Sequence, residues 1–279
     1  MRGDTLYVTD LDGTLLDERG QLPAEAADLL RPLADAGIPL TVCTARSWVS
    51  ARPIIEALGI RLPVILHNGV FVRDMATGDM LRAYLLNRER AEELADLFER
   101  AGVRPLVHTI DDLAECHVYY PGYTNYAIRR FVEDRLAQGD PRFRLEGREG
   151  SWRSERPFYI SAIGERERLA PAARVLSGRT DLTVIFSEDI YAPGWWWLEA
   201  VDRQANKGAG VRFVRERVGA ARVVCFGDQL NDLPMLHEAD LAVAVSNAHP
   251  GVRKAADRVI GAARDNAVAH FIFSSLSHI

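Results

Sequence analysis

Leu6-Tyr7-Val8-Thr9-Asp10-Leu11-Asp12-Gly13-Thr14-Leu15 runs an apolar stretch straight into two carboxylates one residue apart. A continuous apolar run of this length reads as a strand covered on both faces, as in parallel sheets flanked by helices. Asp10 and Asp12 then stand at its carboxyl end, the edge at which open α/β sheets bind their ligands. Residues two apart on an extended strand point to the same side. Two anions held so close repel each other, and call for a cation, a shared proton or an incoming ligand. Asp-Gly is also a common turn pair, so the stretch alone leaves a plain strand-turn reading open.

The chain on either side supplies a rhythm. Pro23 to Leu30 opens a helix with early acidic residues, and Gly37 stops it. Ile38 to Cys43 reads as a second buried strand ending at Thr44-Ala45-Arg46. A helical pattern follows from Ser47 to Leu58, with Pro53 expected to kink or break it. Pro63 to Leu66 is a third strand, ending at His67-Asn68-Gly69. Apolar runs alternating with helices describe right-handed βαβ units and a parallel sheet. Polar residues gather at each strand exit: Asp10 and Asp12, Thr44 and Arg46, then Asn68.

Beyond a hairpin around Thr77-Gly78-Asp79 the pattern changes. Helices are expected over Arg88–Arg100, Thr124–Leu136 and Glu165–Leu176. Strands are expected over Leu113–Tyr120, Phe158–Ile163 and Leu182–Phe186. The polar stretch Gly139–Arg156 reads as an exposed loop or edge. Trp195-Trp196-Trp197 holds three of the five tryptophans. Alternation along a strand would turn at least one away from the core, which suggests a packed hinge or, failing that, an aromatic wall beside a substrate. The opening rhythm returns with a helix from Lys207 to Val218 and a strand over Arg222–Phe226, followed by Gly227-Asp228-Gln229-Leu230-Asn231-Asp232. A last buried strand, Leu241–Val245, exits into Ser246-Asn247-Ala248, and a terminal helix is expected from Asp265 to Phe273. The expected organisation is a core of residues 1–84 and 202–279 interrupted by a second α/β domain at 85–201.

At 279 residues, with 48% hydrophobic and 26% charged residues, the chain is long enough for two moderate domains. A net charge of −5 and no long basic run disfavour nucleic-acid binding. Cys43, Cys116 and Cys225 form no metal-finger spacing, and so sparse a set fits a reducing compartment. No signal pattern opens the chain and no stretch approaches a membrane span, so a soluble cytoplasmic protein is expected. The oligomeric state is not readable.

The strand-exit residues Asp10, Asp12, Thr44, Lys207, Asp228, Asn231 and Asp232 form a constellation of carboxylates with one lysine and no histidine. Such a set suits a hard, oxygen-loving cation, Mg²⁺ above all, which completes its shell with water and substrate phosphate. Thr and Lys are natural donors to phosphate oxygens. These are the parts of phosphoryl transfer, in which positioning and charge neutralisation dominate. One carboxylate can attack phosphorus and another can move the proton, and spacing alone leaves open which does which.

Asp10-Leu11-Asp12-Gly13-Thr14, Thr44, Lys207-Gly208 and Gly227-Asp228-Gln229-Leu230-Asn231-Asp232 together resemble the four signature motifs of the haloacid dehalogenase-like hydrolases. Within that superfamily the chain resembles the Cof-type phosphatases (type IIB), with a large α/β cap inserted after the third core strand. The resemblance implies a Rossmann-like three-layer core with a parallel sheet, and a Mg²⁺-dependent phosphatase acting on a small phosphorylated metabolite. It implies Asp10 as nucleophile and metal ligand, and Asp12 as general acid/base with its carbonyl on the metal. Thr44 and Lys207 would hold the phosphoryl group with help from Asn231, Asp228 would bind the metal, and Asp232 would stand behind them. Arg46 and Asn68 would reach substrate. Cys43-Thr44-Ala45-Arg46 departs from the family's usual Ala-Thr-Gly-Arg but keeps the Thr and Arg. A sugar phosphomutase on the same core, or a catalytically silent binding relative, are the alternatives. Free phosphate release separates the first, and the full set of catalytic residue types argues against the second.

Overall fold

The opening run folds as β1 (Thr5–Thr9), with Leu6, Tyr7, Val8 and Thr9 all buried, as a strand covered on both faces requires. The computed structural model describes residues 4–277. After β1 come α1 (Ala24–Asp35), β2 (Leu40–Val42), α2 (Trp48–Ala57) and β3 (Val64–Leu66), then the hairpin β4 (Phe71–Arg73) and β5 (Met80–Ala83). Ser47 caps α2 by accepting from the Ser50 N–H. Pro53 does not break α2, which runs unbroken through it.

The chain then enters α3 (Arg88–Arg100), β6 (Leu106–Ile110), β7 (Cys116–Tyr120), α4 (Tyr126–Ala137), β8 (Phe143–Leu145), β9 (Arg156–Glu165), α5 (Arg166–Ser177), β10 (Leu182–Glu188) and β11 (Trp195–Asp202). It returns through α6 (Lys207–Val218), β12 (Arg222–Gly227), α7 (Leu233–His237), β13 (Leu241–Val245), α8 (Pro250–Ala255), β14 (Arg258–Ile260) and α9 (Ala267–Ser277). Contacts gather the chain into two compact units, one built from residues up to 83 and from 205 onward, the other from 84–204.

In the first unit the strands are ordered β14-β13-β12-β1-β2 and all pair in parallel. A parallel bridge from Cys43 to Ile65 carries the order on to β3, which pairs antiparallel with β4. Helices α1 and α9 pack on each other, as do α6 and α7. This is the Rossmann-like three-layer arrangement. Because β2, β1 and β12 are parallel neighbours, with Thr9 level with Val42 and Phe226, their exits place Thr44, Asp10 and Asp228 side by side.

The second unit is a six-stranded sheet ordered β10-β11-β9-β6-β7-β8. Alternation along its strands builds two apolar clusters. One joins Leu94, Phe98, Ile160, Leu169, Leu176 and Leu198, from α3, β9, α5 and β11. The other joins Leu106, Val118, Ile128, Val132, Phe143 and Ile163. Both faces of β11 are therefore occupied: Trp196 packs on Phe186, while Trp197 packs on Phe131 and donates its indole N–H to Asp189 at 2.9 Å. No tryptophan of the run is left facing away from packed side chains. The stretch 139–156 is mostly turns and irregular chain, as its composition suggests, and its one short strand, β8, lies at the edge of the sheet; within it Arg142, Phe143 and Trp152 are nevertheless buried. Among the described residues no helix is long and apolar enough to cross a membrane.

Candidate active site

Asp10 leaves β1 with its main-chain N–H bonded to the Phe226 carbonyl at 3.0 Å, which ties it to β12. The residue is buried, and its Oδ1 lies 2.9 Å from the Lys207 ammonium. Lys207 comes from far along the chain. It is the first residue of α6, whose N-cap Asn206 accepts from the Ala209 N–H. Gly208 follows because a Cβ there would strike the Pro234 carbonyl, so only glycine lets α6 approach α7 this closely.

The same ammonium donates to Asp232 Oδ1 at 2.6 Å. Asp232 Oδ2 accepts from the main-chain N–H groups of Asp228 and Gln229 at 2.8 and 2.9 Å. Both oxygens of Asp232 are thus engaged, and its work is to orient Lys207 and the turn that carries Asp228. Asp228 is 2% exposed and accepts from the Thr14 hydroxyl at 2.8 Å. Gly13 turns beside it at φ +76°, where a Cβ would collide with the Asp228 carboxylate. The Asp-Gly-Thr sequence is therefore a built contact as well as a turn. Thr14 lies within the first motif, and the structure adds the role that the sequence did not give it, a hydroxyl bond to Asp228. A hydroxyl following a turn glycine has no periodicity to betray it.

Oxygens of Asp10, Asp228 and Asp232 lie within 4.8 Å of one another. Burial pushes the Asp10 carboxyl well above its ordinary value, an effect that Lys207 opposes and that Asp232, Asp228 and Asp12 reinforce. Burial, and after it Asp232, raises Asp228 to about 7. For Lys207 burial favours the neutral amine, but Asp10 and Asp232 outweigh it and hold the group charged. The cluster is thus a charged lysine among acidic groups that one ammonium does not fully neutralise. An oxygen-only donor set with excess negative charge fits a hard divalent cation. With Asp232 committed to Lys207 and the turn, Asp10 and Asp228 are the carboxylates suited to such an ion.

Arg46 lies on Asp12. Its Nε and Nη2 donate to the two carboxylate oxygens at 2.8 and 2.5 Å, a forked pair, and Nη2 also reaches the Gly20 carbonyl at 3.1 Å. Thr44 is fully buried and its hydroxyl accepts from the Arg46 N–H at 3.1 Å. Asn68 is buried at φ +57° and its Oδ1 accepts from the Asn231 amide at 2.9 Å. Every residue of the sequence constellation therefore belongs to the first unit, and side-chain contacts link them in three sets: Asp10, Lys207, Asp232 and Asp228; Arg46 with Asp12 and Thr44; and Asn68 with Asn231.

The profile of the haloacid dehalogenase-like hydrolases matches residues 7–272. The chain is 26% identical over 273 residues to the 5-amino-6-(5-phospho-D-ribitylamino)uracil phosphatase YitU of Bacillus subtilis, covering 96% of both chains. It is 27% identical over 282 residues to the pyridoxal phosphate phosphatase YbhA of Escherichia coli, covering 96% of this chain and 97% of that one. A haloacid dehalogenase-like hydrolase of B. subtilis superposes with a TM-score of 0.80 at 24% identity, over 99% of this chain and 100% of that one.

Proposed function

Because the chain belongs to the haloacid dehalogenase-like hydrolases, we propose that it is a Mg²⁺-dependent phosphatase of small phosphorylated molecules working through a phosphorylated Asp10. The observation that carries this reading is Lys207 seated between Asp10 and Asp232 beside Asp228, with all four buried. The relatives named for phosphatase activity on a phosphoribityl compound and on pyridoxal phosphate support the substrate class.

In this reading Asp10 attacks the phosphorus of the monoester and the bond to the leaving oxygen breaks. The carboxyl of Asp12 gives that oxygen its proton. Asp12, now a carboxylate, then takes a proton from water as the water attacks phosphorus. The bond to Asp10 breaks, and inorganic phosphate and free Asp10 are released. Lys207 sets its charge against the transferring oxygens, with Thr44 and Asn231 as further donors. Arg46 orients Asp12, the group that moves the proton. Asn68 acts through Asn231. Mg²⁺, held by Asp10, Asp228 and the Asp12 carbonyl, would supply neutralising charge for the phosphate. The inserted unit serves as the cap that selects among substrates, and the three free cysteines fit a reducing cytoplasm.

A panel of phosphorylated sugars, nucleotides and cofactors should yield free phosphate for some members with Mg²⁺ and none with EDTA. Asp10→Asn should abolish release, a loss of about 10³-fold or more. Phosphate moved between positions of a sugar without release would favour the mutase, and full activity in Asp10→Asn would refute the assignment.

A further inference from the structure

The turn after β1 is anchored by a residue that the catalytic constellation does not include. Asn247 lies in the loop after β13. Its Nδ2 donates to the Gly13 carbonyl at 2.8 Å, and its Oδ1 accepts from the main-chain N–H of Ala263 at 2.9 Å. The Ala263 N–H fixes which end of the amide is oxygen, and so directs the NH₂ group at Gly13. Two residues on, the His249 N–H donates to the Asp228 carbonyl at 2.8 Å. One short loop thus holds both the Gly13 turn and the main chain of Asp228.

Gly13 sits against the Asp228 carboxylate, and the Thr14 hydroxyl binds Asp228 Oδ1. The peptide joining Gly13 to Thr14 is therefore pinned at its carbonyl by Asn247, while the next side chain sets one oxygen of Asp228. We propose that Asn247 is a positioning residue for Asp228. By holding the Gly13 carbonyl it keeps the Thr14 hydroxyl on Oδ1, and so presents the carboxylate to the cation in one orientation. This rests on the reading of Asp228 as a ligand of Mg²⁺. Asn247 makes no contact that would recognise substrate, so its effect falls on the metal requirement and on kcat.

Asn247→Asp and Asn247→Ala test it, with MgCl₂ titrated against two readouts. The first is the Mg²⁺-induced rise in unfolding temperature without substrate. The second is kcat and KM for p-nitrophenyl phosphate at saturating Mg²⁺. Asn247→Asp keeps the acceptor for Ala263 and replaces the donor to Gly13 with a carboxylate oxygen, whereas Asn247→Ala removes both contacts. Both variants should need about fivefold more Mg²⁺ for half-saturation in both readouts, the value of one hydrogen bond, with KM held within about twofold. For Asn247→Asp this direction opposes the simple attraction of an added carboxylate for the cation. Thr14→Val should give the same shift, and the double variant Asn247→Ala/Thr14→Val should add little to it, because both act on one link. A wild-type Mg²⁺ requirement in both Asn247 variants, or additive losses in the double variant, would overturn the proposal. A wild-type protein whose unfolding temperature ignores Mg²⁺ would instead overturn the reading beneath it.

Discussion

Lys207 is chemically conspicuous: of the 34 basic residues only Lys207 and Lys254 are lysines, and the rest are arginines. A chain that otherwise uses arginine keeps a compact ammonium where the space is 1% exposed and two carboxylates sit 2.6 and 2.9 Å away. A planar guanidinium does not fit that gap. Lys207→Arg should fold yet lose phosphatase activity by about 10²-fold or more, measured as phosphate release. Lys207→Ala should lower stability by about 3–5 kcal/mol in chemical denaturation, because it strands buried carboxylates. The strand-exit acids and Lys207 were legible in the sequence because a buried strand that ends in acid is a rare pattern. Arg46 on Asp12, Thr14 on Asp228 and the double role of Asp232 were not. Which partner a side chain chooses depends on how the chain folds back, as in Arg46 on Asp12 or Thr14 on Asp228, and periodicity carries nothing about it.

Elements deliver these residues. Helix α6 opens on Lys207 because Asn206 caps it and Gly208 lets it approach α7. Gly208→Ala places a methyl group on the Pro234 carbonyl, so it should cost about 1–3 kcal/mol and lower kcat by displacing Lys207, with both effects read by thermal unfolding and steady-state kinetics. The helix from Lys207 to Val218, the helix Arg88–Arg100 and the strand Leu241–Val245 lie where the sequence pattern puts them, since each has strong periodicity or a clear glycine stop. Strand β6 was hidden because His108 and Thr109 interrupt its apolar run. Both are buried in the sheet, where the His108 ring bonds the Ser161 hydroxyl at 3.1 Å. The stretch around β8 folds as turns with one edge strand, but its composition hid the burial within it. In the turn before β8, Arg142 is buried against Asp140 through two side-chain bonds, so a charged composition there includes a paired interior.

At the scale of the whole molecule, the two units have separate stabilities to watch. Burial, with the charge of Arg142, pulls the His108 imidazole down to about 3. A base with a depressed folded pKa binds fewer protons folded than unfolded, so its contribution is present above about 6.5 and is lost as pH falls toward 3. Four of the five tryptophans, all but Trp48, lie in the second unit, so tryptophan fluorescence reports its unfolding. Its stability should fall by up to about 1.4 kcal/mol per pH unit between pH 6 and 4, and His108→Asn should flatten that slope. The parallel core was legible because alternation of apolar runs and helices fixes its topology. The detail of the second sheet was not, since its mixed order β10-β11-β9-β6-β7-β8 follows from packing on both faces.

The central claim is that Asp10 takes the phosphoryl group. Protein mixed with Mg²⁺ and p-nitrophenyl phosphate, quenched in acid during turnover and digested, should carry one phosphoryl group on the peptide containing Asp10, and Asp10→Asn should carry none. A phosphoryl group on any other peptide, or turnover undiminished in Asp10→Asn, would contradict the account.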